Sequence, residues 1–257
     1  HYPEGATNAH VIGFTNVEDR GQEGIELAHE RLLAGRAGSR RVIKDRLGRV
    51  IEDDWLREPL DGKDLALSID NRIQYIAHAA LKGALDKHRA KAGAAIVFDV
   101  KTGEVLALAN LPSFDPNLRG RLAGDAVRNR VLTDTFEPGS TMKPFSIAAA
   151  LEAGKVKVDT RIQTAPGRLT IGNRTIGDAH PHGMLTVEEI VSKSSNVGTV
   201  KIALSLKPQE MWGALDEFGF GRVTGSGFPG ESAGILTGYE HWRAIGQATM
   251  AYGYGLS

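Results

Sequence analysis

Apolar residues along this chain change spacing several times, and each change marks an element. Ile73, Ile76, Ala77, Ala80, Leu81, Ala84 and Leu85 recur at i, i+3, i+4 intervals behind Asp70, which predicts a long helix with an acidic N-cap and one stripe facing a core. Residues 94–100 and 104–109 are dense in small and β-branched apolar side chains on either side of Lys101-Thr102-Gly103, the pattern of a hairpin. Val42, Ile43, Val50 and Ile51 flank Leu47-Gly48 and predict a second hairpin. Residues 64–69 read as a strand and residues 24–33 as a short helix stopped by Gly35. Further helices are predicted over 140–152, 187–193, 197–204 and 208–218, the second opened by a capping box of Thr186 and Glu189. Strands and helices mix without regular βαβ alternation, so the fold class is α+β. Residues 52–63 are acidic and carry Pro59 and Gly62; read as a linker, they divide the chain into 1–61 and 62–257.

Composition narrows the chemistry. The 257 residues are 41% hydrophobic, enough for a large domain and a smaller neighbour. Thirty-one basic and 31 acidic residues leave no bulk charge to draw nucleic acid or an anionic membrane. Cysteine is absent, which removes thiol nucleophiles, thiolate metal sites and disulfides. No apolar run approaches the roughly 18 residues of a membrane span. The basic stretch of Arg36, Arg40, Arg41, Lys44, Arg46 and Arg49 lacks interleaved aromatic residues and reads as a solvated hairpin face. Asp178-Ala179-His180-Pro181-His182 reads as a polar loop, because no further ligands cluster with it. Gly225-x-Gly227-x-x-Gly230 spells a dinucleotide fingerprint, but Pro229 sits inside it and no strand or helix flanks it. No metal, cofactor or nucleic acid is expected.

Candidate chemistry begins at Pro138-Gly139-Ser140-Thr141-Met142-Lys143. Pro and Gly break the chain, and a helical pattern follows, which places Ser140 at a helix N-terminus and Lys143 one turn on, on the same face. A serine hydroxyl needs a base to become a nucleophile, and a lysine serves only when burial or a nearby cation lowers its pKa. The positive end of the helix assists both conditions. About fifty residues on, Ser194-Ser195-Asn196 joins two predicted helices. There a hydroxyl can relay a proton and a carboxamide can hold a substrate amide or the lysine.

Ser140-x-x-Lys143 followed by Ser194-x-Asn196 resembles the first two of three motifs of penicillin-binding proteins and serine β-lactamases. Tyr2-Pro3-Glu4-Gly5, His10-Val11-Ile12-Gly13, residues 21–26, Lys44-Asp45-Arg46, Gly48-Arg49, Leu67-Ser68-Ile69-Asp70, residues 99–109, Arg128-Asn129-Arg130 and residues 252–256 extend the likeness to the division-specific class B penicillin-binding proteins of Gram-negative bacteria. The resemblance implies an antiparallel sheet flanked by helices, with 62–257 the N-terminal portion of a transpeptidase domain and 1–61 part of a smaller, non-catalytic pedestal domain. It implies peptidoglycan stem peptides as substrates, β-lactams as covalent inhibitors and division-complex proteins as partners. The expected location is the periplasmic face of the inner membrane, with an anchor upstream of this chain. Ser140 would be acylated, Lys143 would be its base, and Ser194 and Asn196 would shape proton transfer and substrate binding. The third motif, Lys-Thr/Ser-Gly, is expected well after Asn196. The sequence stops at Ser257 before reaching it, and Lys101-Thr102-Gly103 is a hairpin turn that precedes Ser140. The chain is therefore expected to be C-terminally incomplete and inactive alone. Two other classes stand beside this one: a D,D-carboxypeptidase or β-lactamase of the same fold, and a non-catalytic fragment that binds division partners. A β-lactamase would start near Leu65, and a degenerate scaffold would not need all four site residues.

Overall fold

A computed structural model describes residues 1–118 and 124–257. They form two compact units, His1–Asp134 with Gly227–Glu231, and Thr135–Ser226 with Ser232–Ser257. Every strand pairing among the described residues is antiparallel and two-stranded. With ten α-helices among the described residues, the fold is α+β.

The first unit opens with α1 (Ala9–Ile12), β1 (Phe14–Thr15) and β2 (Gly21–Glu23). The helix expected over 24–33 is two short ones, α2 (Gly24–Ala28) and α3 (Glu30–Leu33), because His29 leaves helical backbone angles at φ −115°. β3 (Ser39–Lys44) and β4 (Val50–Arg57) form the hairpin expected around Leu47-Gly48. Its turn is closed by the Asp45 carboxylate, which accepts from the N–H groups of Leu47 at 2.8 Å and Arg49 at 2.9 Å. Residues 52–57, expected as linker, are thus paired strand. The acidic residues that suggested a linker instead face the basic strand across the ladder, as in Arg40–Asp53 at 2.8 Å.

α4 (Asn71–His88) is capped by Asp70, whose carboxylate accepts from the Arg72 and Ile73 N–H groups. It packs beside β5 (Gly93–Phe98) and β6 (Val105–Leu111). Only part of its apolar stripe faces inward. Ile73, Ala77, Leu81 and Leu85 are half-buried, while Ile76, Ala80 and Ala84 lie outside. The residue at the centre of the packed face is Gln74, with no exposed surface. Its amide oxygen accepts from Leu108 N–H at 2.7 Å, and its nitrogen donates to the Leu108 and Thr7 carbonyls at 2.8 Å. It therefore completes the edge of β6, where an apolar side chain would leave two buried backbone groups unpaired. The strand expected over 64–69 is an irregular run beside β6, tied by Ser68 Oγ to Val105 O and by Asp70 N to Leu106 O. Asp99 closes the β5–β6 turn by accepting from Lys101 and Thr102 N–H, which fixes Lys101-Thr102-Gly103 as a turn. After α5 (Arg130–Thr133), Phe228 joins Val11, Ile25, Leu108 and Val131 in this unit's core.

Two expectations follow for this unit. Tyr75 and Ile76 on α4 are 65% and 64% exposed, and Phe98 on β5 is 54% exposed. The isolated chain should self-associate through such surface, and Ile76→Glu should shift its sedimentation toward the monomer; an unchanged profile would count against that contact. His10 is buried edge-on against Phe114, and its Nε2 lies 2.8 Å from Ala126 O. A carbonyl only accepts, so Nε2 carries the proton. Burial pushes the imidazole below its ordinary value, the Ala126 bond opposes this, and His78 and Arg130 push the same way as burial. Because the folded pKa is depressed, the stability from neutral His10 is full above about pH 6.5 and is lost as pH falls through the folded value. Thermal melts should weaken from pH 7.5 to 5, and His10→Gln should flatten that slope.

In the second unit a 3-10 turn, Gly139–Met142, runs directly into α6 (Lys143–Glu152). β7 (Arg161–Gln163) pairs with β10 (Met184–Thr186), and β8 (Arg168–Ile171) with β9 (Arg174–Gly177). α7 (Val187–Ser192) carries the expected capping box. α8 (Asn196–Ala203), α9 (Pro208–Glu217) and α10 (Ala244–Ala251) follow. α8 is buried on nearly every side, as befits a central helix. Gln247 of α10 satisfies carbonyls at and just beyond its C-terminal end, donating to Ala203 and Leu206 at 3.0 Å. Met142, Ile147, Ala150, Ile190, Ile202, Met211 and Leu215 fill the core between these helices.

Candidate active site

Ser140 stands in the 3-10 turn, with its side chain exposed. Gly139 before it has φ +60°, the left-handed value that bends the chain into the turn. Side chains at i and i+3 of a 3-10 turn eclipse, so Lys143 leaves from the face that carries Ser140. Lys143 is only 2% exposed. The sequence places these two side chains on one face, one turn apart. The structure aims the Lys143 amine at Ser194, donating to its backbone O at 2.5 Å and to its Oγ at 2.9 Å. Burial draws the amine down to about 8, with the charge of Asp178 pulling the other way.

The loop that presents Ser194 is strained and pinned. Ser194 has φ +55°, a left-handed conformation uncommon outside glycine. Ser195 is buried and caps α8, accepting from Gly198 N–H at 2.9 Å and donating to Asp178 Oδ2 at 2.8 Å. Asp178 Oδ1 accepts from Val197 N–H at 2.9 Å. The Asn196 carboxamide donates to Gly177 O at 2.8 Å, which leaves its oxygen free of that bond. Ser140, Lys143 and Ser194 therefore lie on one connected frame, and Asn196 is held by the end of β9 rather than by the lysine.

Asp178 is the residue that sequence reasoning missed. The sequence reads it, with His180 and His182, as part of a polar loop, whereas its two oxygens hold the Ser194–Asn196 loop. The loop lies 17 residues away, as Ser195 is from Asp178, and no local pattern signals such a contact. Asp178→Asn should keep the shape but remove the charge that raises Lys143, so the ascending limb of the acylation pH profile should move below about 8. A limb that stays put or moves up would contradict this electrostatic link.

The chain was compared with known families and structures. The penicillin binding protein transpeptidase domain matches residues 93–257, and the penicillin-binding protein dimerisation domain matches residues 1–67. The chain is 48% identical over 259 residues to the probable peptidoglycan D,D-transpeptidase PenA of Neisseria gonorrhoeae, covering 100% of this chain and 44% of that protein. It is 42% identical over 256 residues to the peptidoglycan D,D-transpeptidase FtsI of Escherichia coli, covering 100% and 43%. Among solved structures, apo penicillin binding protein 3 of Mycobacterium tuberculosis matches with a TM-score of 0.87 at 34% identity, over 100% of this chain and 55% of that one. The transpeptidase domain of Burkholderia pseudomallei penicillin-binding protein 3 matches at 0.67 and 48% identity, over 74% and 53%. The chain spans less than half the length of these two curated relatives. The transpeptidase match runs through both the Ser140–Lys143 turn and the Ser194–Asn196 loop, and on that footing the chain belongs to the penicillin-binding protein transpeptidase family.

Proposed function

We propose that this chain carries the acylation centre of a septal peptidoglycan D,D-transpeptidase, with Ser140 as nucleophile. One observation carries the reading: a buried lysine, drawn down to about 8 and held on Ser194, one turn from an exposed serine. A neutral amine has two N–H donors and one lone pair, and an ammonium has three donors. The two bonds to Ser194 use both donors of the neutral form and leave its lone pair to take the Ser140 proton. Ser140 Oγ then attacks the carbonyl between the two D-alanines of a stem peptide, forming the C–O bond and an oxyanion. Collapse breaks the C–N bond and expels the terminal D-alanine, whose nitrogen takes the proton from Lys143 through Ser194 Oγ. An amine of a second stem peptide attacks the ester, closes the cross-link and returns Ser140. A β-lactam gives the same ester, with its leaving nitrogen still tethered.

The likeness to FtsI and PenA supports a role in wall synthesis at division. The same reading puts the site at the periplasmic face of the inner membrane, among division proteins, with the anchor outside these 257 residues. Transpeptidation is distinguished from hydrolysis on the same frame by the acceptor. A form extended to the length of its relatives, given a stem-peptide donor and an amine acceptor, should yield cross-linked product. Release of the free acid alone would favour a carboxypeptidase.

A further inference from the structure

The geometry points to Gly253 as a positioning residue: with Gly139 it forms a backbone clamp that sets where Ser140 stands for acylation. The inference rests on reading Ser140 as the nucleophile. Gly253 is buried, with φ +93°. A Cβ placed on it would lie 2.0 Å from Gly139 O, 2.4 Å from Gly139 N and 2.5 Å from Gly139 C. All three atoms are backbone, in the residue immediately before Ser140, so no side chain can swing aside to make room. The same two residues are joined by Gly139 N–H donating to Gly253 O at 3.0 Å.

Contacts on both sides brace the pair. Gly255 N–H donates to Glu137 Oε1 at 2.8 Å, and buried Ser146 Oγ donates to Ala251 O at 3.0 Å. Met142, Met250, Ala251 and Leu256 share one core cluster beneath them. Ser140 is exposed, and its side chain makes no hydrogen bond among the described residues. Its place is therefore set through its backbone, which is held by the turn itself, closed by Thr141 Oγ1 donating to Pro138 O at 2.7 Å, and by residues 251–255. The two glycines serve for different reasons. A Cβ on Gly139 would meet nothing within 4 Å, so Gly139 supplies a left-handed turn, whereas Gly253 supplies space.

An ordinary carbon contact needs about 3.4 Å or more, so Gly253→Ala must push the Gly139–Ser140 turn away by about 1 Å. A displacement of that size costs about a hundredfold in rate. The test uses a form extended to the length of its relatives and measures the acylation rate constant separately from the non-covalent penicillin affinity. Gly253→Ala should lower the rate constant about a hundredfold, change the affinity less than about threefold, and leave the pH limb of Lys143 in place. A residue needed only for folding would give a smaller fraction of titratable sites, each acylated at the normal rate. That result would overturn the clamp, as would a normal rate throughout. If Gly253→Ala does not fold, Glu137 decides. Glu137→Gln keeps the oxygen that accepts from Gly255 and should keep the rate, while Glu137→Ala should lower it severalfold. Equal rates in the two Glu137 variants would contradict the proposal. Absence of a Ser140 adduct in the unsubstituted protein would instead refute the nucleophile assignment on which the clamp rests.

Discussion

Lys143→Arg is expected to lower acylation of Ser140 about a thousandfold in a form extended through the third motif, with the fold intact. At about 8, roughly a tenth of the Lys143 amines are neutral at pH 7; at the ordinary lysine value of 10.5 the fraction would be several hundred times smaller. A guanidinium keeps the cation and its donors but does not give up a proton in proteins. General-base catalysis contributes about a hundred- to ten-thousandfold, which sets the size of the loss. In the unsubstituted protein the rate should climb with pH and level off above about 8. Near-normal acylation with Arg would place the base elsewhere.

The depressed pKa also makes a statement about stability. Because the folded value lies below the unfolded one, burial penalises the ammonium. The penalty is absent above about pH 10.5, grows as pH falls toward 8, and amounts to about 3 kcal/mol at neutral pH. Lys143→Met, similar in length and apolar, should therefore abolish acylation yet raise stability at pH 7 by about 1–3 kcal/mol, read from denaturant melts. A destabilised Met variant would mean that the bonds to Ser194 outweigh the cost of burying the charge.

The second large effect concerns these 257 residues as a molecule. They contain no Lys-Thr/Ser-Gly after Asn196. The likeness to penicillin-binding proteins implies that such a motif supplies an oxyanion donor and binds the substrate carboxylate. Losing one such donor costs about a hundred- to a thousandfold. The chain should accordingly be acylated at least a hundredfold more slowly than a form extended through the motif, at equal concentration and with folding checked by circular dichroism. Similar rates would show that Ser140, Lys143, Ser194 and Asn196 suffice.

What could be read along the chain was what local physics decides. The Asp70 cap, the β5–β6 hairpin, the Thr186 capping box and the Pro138-Gly139 break before Ser140 all depend on neighbours within a few residues. The features that escaped depend on partners far away. Gln74 reads as a polar interruption of a stripe until Leu108 is opposite it. Asp178 reads as a loop acid until Ser195 and Val197 arrive. Gly253 reads as one of 31 glycines until its lack of a side chain is set against Gly139. The inward turn of Lys143 toward Ser194, rather than Ser140, was hidden for the same reason: spacing along a helix gives a face, and only packing gives the aim of a long side chain.

The central claim is that Ser140 is the residue acylated, and one experiment bears on it most directly. A form extended to the length of its relatives is incubated with a fluorescent penicillin, digested, and the adduct located by mass spectrometry, beside Ser140→Ala. The account predicts a single adduct on the peptide that carries Ser140, absent in the alanine variant while its melting curve is unchanged. An adduct on another serine, or labelling that persists in Ser140→Ala, would contradict it.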